Sequence, residues 1–324
     1  MTKKFSVIIP LLNKGPYISR AIKSILKQTI QDFEIIIIDG GSEDEGPKIV
    51  KNFNDSRINF LIQSGKGVSN ARNEGTKFAK YDFIAFLDAD DEWMPTHLGT
   101  IQSLIEKFPG AGMFTTAYKN QYADGTLKWA NYQYIPDRPW EGILPDYFRS
   151  GAIGEYPVWT SVVVIPKKIF YEMGGFPEGY WYGEDADLFG KIALKYPVAF
   201  SWEFGATYHY DTLNRACDRV LPPDYQEPFV KTAHTALAKG EIRKDLTDSL
   251  IEYIWKKEYD RAYRYAKAGF PTTGKAILKQ FTTKWTYKER IKWFLLINFP
   301  EPVYPFIRDI KRKLDKVIKI MKKE

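Results

Sequence analysis

The chain has 324 residues, of which 44% are hydrophobic and 27% charged, a composition that excludes a disordered or fibrous protein and allows about two domains around a large core. The net charge of +7 belongs to the tail: residues 284–324 carry twelve basic and five acidic side chains, whereas the first 283 are balanced. The body therefore lacks the basic face that a nucleic-acid binder needs, and nucleic acid is excluded as a partner. A single cysteine, Cys217, excludes an internal disulfide framework and fits a cytoplasmic, reducing compartment.

Residues 5–10 predict a first strand; the run is too short, and lacks the small-residue cleavage site, for a signal peptide. An amphipathic helix follows over 17–28, with Ile18, Ala21, Ile22, Ile25 and Leu26 inward. Strands over 34–38, 58–62 and 83–87 alternate with helices over 47–53 and 68–79. Strands that are apolar on both faces and separated by helices imply a mostly parallel sheet covered on both sides. In such sheets ligands sit at the carboxyl ends of the strands. Here those ends carry Asn13, Asp39 and the acids from Asp88 to Asp91.

Between 110 and 209 the pattern loosens into short strands and loops, with one clear helix over 186–194. Paired prolines make 221–228 a linker, followed by helical patterns over 231–267 and 273–281. Pro300, Pro302 and Pro305 then interrupt, and a last helix begins near Phe306. On it Ile307, Ile310, Leu314, Val317, Ile318 and Met321 share one face, with Lys311, Arg312, Lys313, Lys316, Lys319 and Lys322 largely elsewhere. Such a helix suits an anionic membrane surface, and equally its own domain or a partner helix. No stretch reaches the roughly 20 apolar residues that span a bilayer. A cytoplasmic protein, peripheral on the inner face of the membrane when that helix is engaged, is the expectation.

No G-x-G-x-x-G follows the first strand and no P-loop is present, so a dinucleotide-binding domain and a P-loop NTPase are excluded. Phe86-Leu87-Asp88-Ala89-Asp90-Asp91 places three carboxylates within four residues after a buried strand. They repel one another unless a cation or hydrogen-bond donors offset the repulsion, and hard divalent ions take such ligands together with substrate phosphates. The plainer alternative is a solvated turn in which Asp91 caps the helix after Pro95. Gly183-Glu184-Asp185-Ala186-Asp187 is a second acidic cluster at a helix start. Acids there are favoured by the helix dipole, and one of them could instead serve as a general base.

Read together, these motifs resemble glycosyltransferase family 2 and its GT-A fold. The resemblance rests on Ser6-Val7-Ile8-Ile9-Pro10 with Asn13, Ser24 to Gln28, Asp32-Phe33-Glu34-Ile35, Asp39-Gly40-Gly41-Ser42, the run from Gly67 to Gly75, Asp88-Ala89-Asp90-Asp91, Gly174-Gly175-Phe176-Pro177-Glu178 and Gly183-Glu184-Asp185. It covers roughly residues 5–210. What it implies is a GT-A-like α/β catalytic domain over 1–220, with a nucleotide-binding half to about 95 and an acceptor half beyond, and a helical extension over 221–324. It further implies an inverting, metal-dependent transfer from a nucleotide sugar, UDP by family habit, to a saccharide or lipid-linked acceptor in surface polysaccharide or glycolipid synthesis. By the same resemblance Asp39 holds the base or ribose, Pro10, Leu12, Asn13, Asn70 and Ala89 line the nucleotide, Arg72 lies near the diphosphate and Asp88 toward ribose or metal. Asp90, with His209 as a second donor, is implied to hold Mn²⁺ or Mg²⁺, and Asp185 to act as the base.

Two departures stand out: Gly40 where the family usually has a second acid, and Leu12 where an aromatic residue is common. Aromatic residues crowd the stretch between the acidic clusters, and Trp159, Tyr180, Trp181 and Tyr182, with Glu184, are the expected acceptor contacts, since rings dominate interiors but also stack on sugar faces. Two rivals stand beside this reading. A sugar-nucleotide nucleotidyltransferase would need a Gly-rich basic loop that Asn13-Lys14-Gly15 matches poorly, and a catalytically silent membrane-associated scaffold would have no use for the acids. Oligomeric state is left open.

Overall fold

The computed structural model describes residues 3–279 except 214, 217, 218 and 223; Cys217 and the basic helix expected from residue 306 lie outside the described residues. The chain divides into two compact units, one of residues 1–218 and 226–253, the other of 219–225 and 254 onward. No helix among the described residues is long and apolar enough to cross a membrane.

β1 (Phe5–Leu11), β2 (Phe33–Asp39), β3 (Ile58–Ile62) and β4 (Phe83–Phe86) lie parallel in the order β3-β2-β1-β4. β1 and β2 are buried along almost their whole length, which is why they read as continuous β-branched runs and not as alternating ones. α1 (Gly15–Leu26) starts on Pro16, whose missing N–H costs nothing in a first turn, and buries Ile18, Ala21, Ile22 and Ile25. α2 (Gly46–Lys51) and α3 (Val68–Phe78) complete the crossovers.

α3 lies close to the sheet because of Gly75. A Cβ there would stand 2.5 Å from Ile8 Cγ2. Alanine normally gains about 0.5–1 kcal/mol over glycine inside a helix. At this position the sign should reverse: Gly75→Ala is expected to cost about 1–3 kcal/mol through overpacking, read as a lower urea midpoint.

The other half of the sheet is mixed. β9 (Val163–Pro166) runs antiparallel to β4 and to β6 (Met113–Gln121), and β10 (Val198–His209) pairs parallel with β6. The two reversals cancel, so β6 and β10 point the same way as β1 to β4, and the start of β9 joins their carboxyl ends at one rim. β5 (Glu92–Trp93) and β8 (Glu141–Ile143) pair antiparallel with β10, and β7 (Leu127–Trp129) with β6. Helices α4 (His97–Lys107), α5 (Tyr147–Ile153), α6 (Lys167–Glu172) and α7 (Glu184–Lys195) fill the same half.

Two local expectations are corrected. Asp91 caps no helix: α4 begins after Thr96, and Asp91 is buried five residues earlier. The long helix expected over 231–267 is broken into α8 (Pro228–Lys239) and α9 (Thr247–Lys267), because Gly240 takes φ +66°, the left-handed C-terminal stop that glycine provides. α10 (Pro271–Lys279) follows.

Candidate active site

The rim begins with two interlocked loops. Asn13, after β1, adopts φ +51°, a conformation asparagine tolerates better than most residues. Its N–H donates to Ser42 Oγ (2.9 Å), and its Oδ1 accepts the Glu43 N–H (2.9 Å). Asp39, ending β2, is buried and accepts the Ser42 N–H on both carboxylate oxygens at 3.2 and 3.4 Å. Asp44 Oδ2 accepts the Gly15 N–H (2.7 Å), tying the start of α1 to the second loop. Pro10 is half-buried, whereas Leu12 and Asn13 are exposed at the mouth.

After β4 the three acids resolve their mutual repulsion in three different ways. Asp88 pairs with Arg72 Nη2 at 2.8 Å. Asp90 pairs with Lys14 Nζ at 2.7 Å. Asp91 is buried beneath them, accepting the Ser161 hydroxyl at 2.7 Å and the His209 N–H at 3.5 Å. Burial first, then the charges of Asp90 and Asp88, push the Asp91 carboxyl well above the usual range, which favours its neutral form. Ser161 also accepts the Asp88 N–H (3.1 Å), and Ala89 packs into the core between the acids.

Arg72 joins this turn to the second cluster. Its side chain is 4% exposed, and the second terminal nitrogen reaches Glu184 Oε1 at 3.0 Å. The guanidinium also lies 5.1 Å from the Phe176 ring centroid. Burial alone would lower its pKa, but Asp88 and Glu184 outweigh that and raise it, so the charge is fixed. Arg72, expected beside a diphosphate, Glu184, expected beside an acceptor, and Asp88 meet here in one ion-paired bridge. Glu184 is pushed up to about 7 by desolvation and by the neighbouring Asp185 charge, against the opposing pull of Arg72.

The first turn of α7 divides its acids. Asp187 is committed to the Thr232 hydroxyl (2.6 Å) and Lys191 (2.5 Å), and Glu184 to Arg72. Asp185 is partly exposed, with Oδ1 accepting the Ala186 N–H at 2.7 Å. Beside this turn Trp181 and Tyr182 stand 6.2 Å apart, and the Tyr180 carbonyl accepts the Ser69 hydroxyl at 3.3 Å. Trp159 packs edge-on to Tyr208, 5.0 Å between centroids. Asn70 binds Gln63 Nε2 through Oδ1 at 2.9 Å.

His209, the last residue of β10, is buried with neither ring nitrogen hydrogen-bonded; Glu92 and Asp211 carboxylates stand 3.6 and 3.7 Å away. Burial, then Arg20, lowers its pKa, leaving a neutral imidazole. Among the described residues no group of three or more His, Cys, Asp or Glu side chains stands gathered for a metal ion, so Asp90 and His209 do not by themselves form a complete ligand set.

Residues 6–159 match the model of the family described as "Glycosyl transferase family 2". That match spans a little under half of the chain. With the names of its curated relatives, the match supports a transferase enzyme of the glycosyltransferase kind over the nucleotidyltransferase and silent-scaffold readings. Escherichia coli WfgD, named as a UDP-Glc:alpha-D-GlcNAc-diphosphoundecaprenol beta-1,3-glucosyltransferase, is 43% identical over 103 residues, 32% of this chain and 41% of that protein. Several curated relatives at 36–43% identity are matched over only 26–41% of their length. Two solved structures share the fold: Staphylococcus aureus TarS 1–349 in complex with UDP-GlcNAc (TM-score 0.62, 18% identity, 90% of this chain and 79% of that one) and the Pyrobaculum calidifontis mannosyltransferase PcManGT in complex with GDP-Man and Mn²⁺ (0.59, 15%, 94% and 83%). The architecture is that of GT-A glycosyltransferases.

Proposed function

We propose that this glycosyltransferase moves a sugar from UDP to a hydroxyl of a saccharide or lipid-linked acceptor, in surface polysaccharide or glycolipid synthesis, with inversion at the anomeric carbon. The observation that carries this reading is the Arg72 bridge, which draws the Asp88 turn and the Asp185 turn, far apart in the chain, to one rim. Asp39 takes the uridine, with Pro10, Leu12, Asn13, Asn70 and Ala89 beside it. WfgD's named donor and its diphosphoundecaprenol-linked acceptor favour UDP and a lipid-linked acceptor here.

The donor set fits a hard divalent ion, Mn²⁺ or Mg²⁺. Asp88 and Asp90 offer carboxylate oxygens at a strand end where cations are already held, and one or two carboxylates plus substrate phosphates are the usual complement. The unpartnered His209 ring is a further donor within this neighbourhood. When bound, such an ion supplies Lewis-acid stabilisation of the departing diphosphate. Asp185 takes the proton from the acceptor hydroxyl as that oxygen bonds to the anomeric carbon and the sugar–phosphate bond breaks, releasing UDP. Trp159, Tyr180, Trp181 and Tyr182 shape the acceptor side, and Glu184 positions Arg72.

A panel of nucleotide sugars with Mn²⁺ or Mg²⁺, followed by nucleotide release without acceptor, tests the reading and identifies the donor. Slow hydrolysis of a UDP-sugar that disappears in Asp90→Ala is the expected result; hydrolysis of none of the panel would overturn it.

A further inference from the structure

Three cations meet the acid turn, Arg20 on the Asp90 carbonyl and Arg72 and Lys14 on carboxylates, and the last two are built differently. Arg72 is buried, forked between two acids, and has nowhere to go. Lys14 sits at the mouth, its side chain 14% exposed and Asp90 16% exposed. Its ammonium also donates to the Leu213 carbonyl at 2.9 Å and lies 5.8 Å from the Tyr17 ring centroid. Its backbone is anchored, because the next residue, Gly15, is tied to Asp44. A compact ammonium on a flexible four-carbon stem can swing without moving that backbone, which a bidentate guanidinium cannot.

From this asymmetry we infer that Lys14 is a displaceable stand-in for the metal ion at Asp90, and that on displacement it becomes the ammonium partner of the donor's diphosphate. The inference rests on the reading of Asp90 as a ligand of the ion. With Arg72 held by Asp88 and Glu184, and Arg20 on the Asp90 carbonyl, Lys14 is the cation paired with the Asp90 carboxylate itself. A divalent ion arriving alone must compete with the ammonium for Asp90. Arriving with a diphosphate, it releases an ammonium that has a new anion to meet. Ion and nucleotide therefore favour one another's binding by the same factor, as linkage requires.

Lys14→Met should consequently shift two affinities in opposite directions, which a merely structural role would not do. Titration of the full chain with Mn²⁺, following the free ion by electron paramagnetic resonance, should show up to about fivefold tighter binding without nucleotide, the upper size of an ion pair open to solvent. UDP at saturating Mn²⁺ should bind up to about fivefold more weakly, the exchange having lost its ammonium. Lys14→Arg keeps the charge and should remain nearer the parent on the Mn²⁺ titration. Unchanged or weaker Mn²⁺ binding in a folded Lys14→Met, with Asp90→Asn still abolishing it, overturns the stand-in while leaving Asp90 as the ion's ligand. Mn²⁺ binding that ignores Asp90→Asn overturns both, and UDP-sugar hydrolysis that persists without any divalent ion would still leave the transfer reading standing.

Discussion

Asp185→Asn should lose transfer by about 10²- to 10⁴-fold, the range for removing a positioned general base, while UDP-sugar affinity measured by calorimetry stays within about twofold. The argument runs through the division of labour in the first turn of α7. Glu184 and Asp187 are already engaged by Arg72, Thr232 and Lys191, so neither can turn toward an acceptor without breaking a buried contact. Asp185 alone of the three is partly exposed and makes its short contact only to its own helix. Asparagine keeps an oxygen for the Ala186 N–H. The substitution removes an acid from the helix start, which costs about 0.3–1 kcal/mol, but it also removes the charge that pushes Glu184 up. These effects oppose each other, and the melting temperature should barely move. Lost donor affinity would assign Asp185 to the nucleotide; retained transfer would remove it as the base.

The parallel half of the sheet, β1 to β4, is readable because its signals are local. Strands buried on both faces need uninterrupted apolar runs, and the polar residues that end them, Asn13, Asp39 and Asp88, stand out against those runs. The mixed half of the sheet is less readable for the same reason in reverse. β6 and β10 carry buried Thr115, Thr116 and Ser201 among their apolar residues, so two long central strands read as loose segments. Gly240, a helix stop by residue type, interrupts what is otherwise one continuous helical pattern.

In the site, the residue types were legible but their partners were not. Asp88 and Glu184 are 96 positions apart, and no periodicity announces that one guanidinium serves both. No pattern in the sequence singles out Lys14 or Ser161 as partners of these acids. Their positions are set by the β9 reversal and by the interlocked loops, features of tertiary structure. The one physical clue was the cost of three neighbouring carboxylates, which demands compensating groups without saying which.

Arg72→Met should be the most destabilising single change at this rim, about 3–5 kcal/mol, because removing one partner of a buried ion pair strands the other charge. The loss should depend on pH. Glu184 in the folded chain is raised to about 7 from its ordinary 4.5, so the folded state holds its proton more firmly than the unfolded one. Its contribution to stability is therefore full below about 4.5 and is lost as pH rises through about 7. Without the guanidinium the opposing pull disappears, the Glu184 pKa climbs further, and the window of loss extends to more alkaline pH. At pH 6 the stranded carboxyl can remain protonated and the variant loses less; at pH 8.5 it must ionise in a buried place and the variant loses more. Urea denaturation at the two values measures this directly. Adding Glu184→Gln to Arg72→Met should recover most of the extra loss at pH 8.5, since a neutral amide needs no counterion. An equal loss at both pH values, or no recovery in the double variant, would mean that Arg72 stabilises the fold through its packing on Phe176 and not through the charge it holds between the two acidic turns.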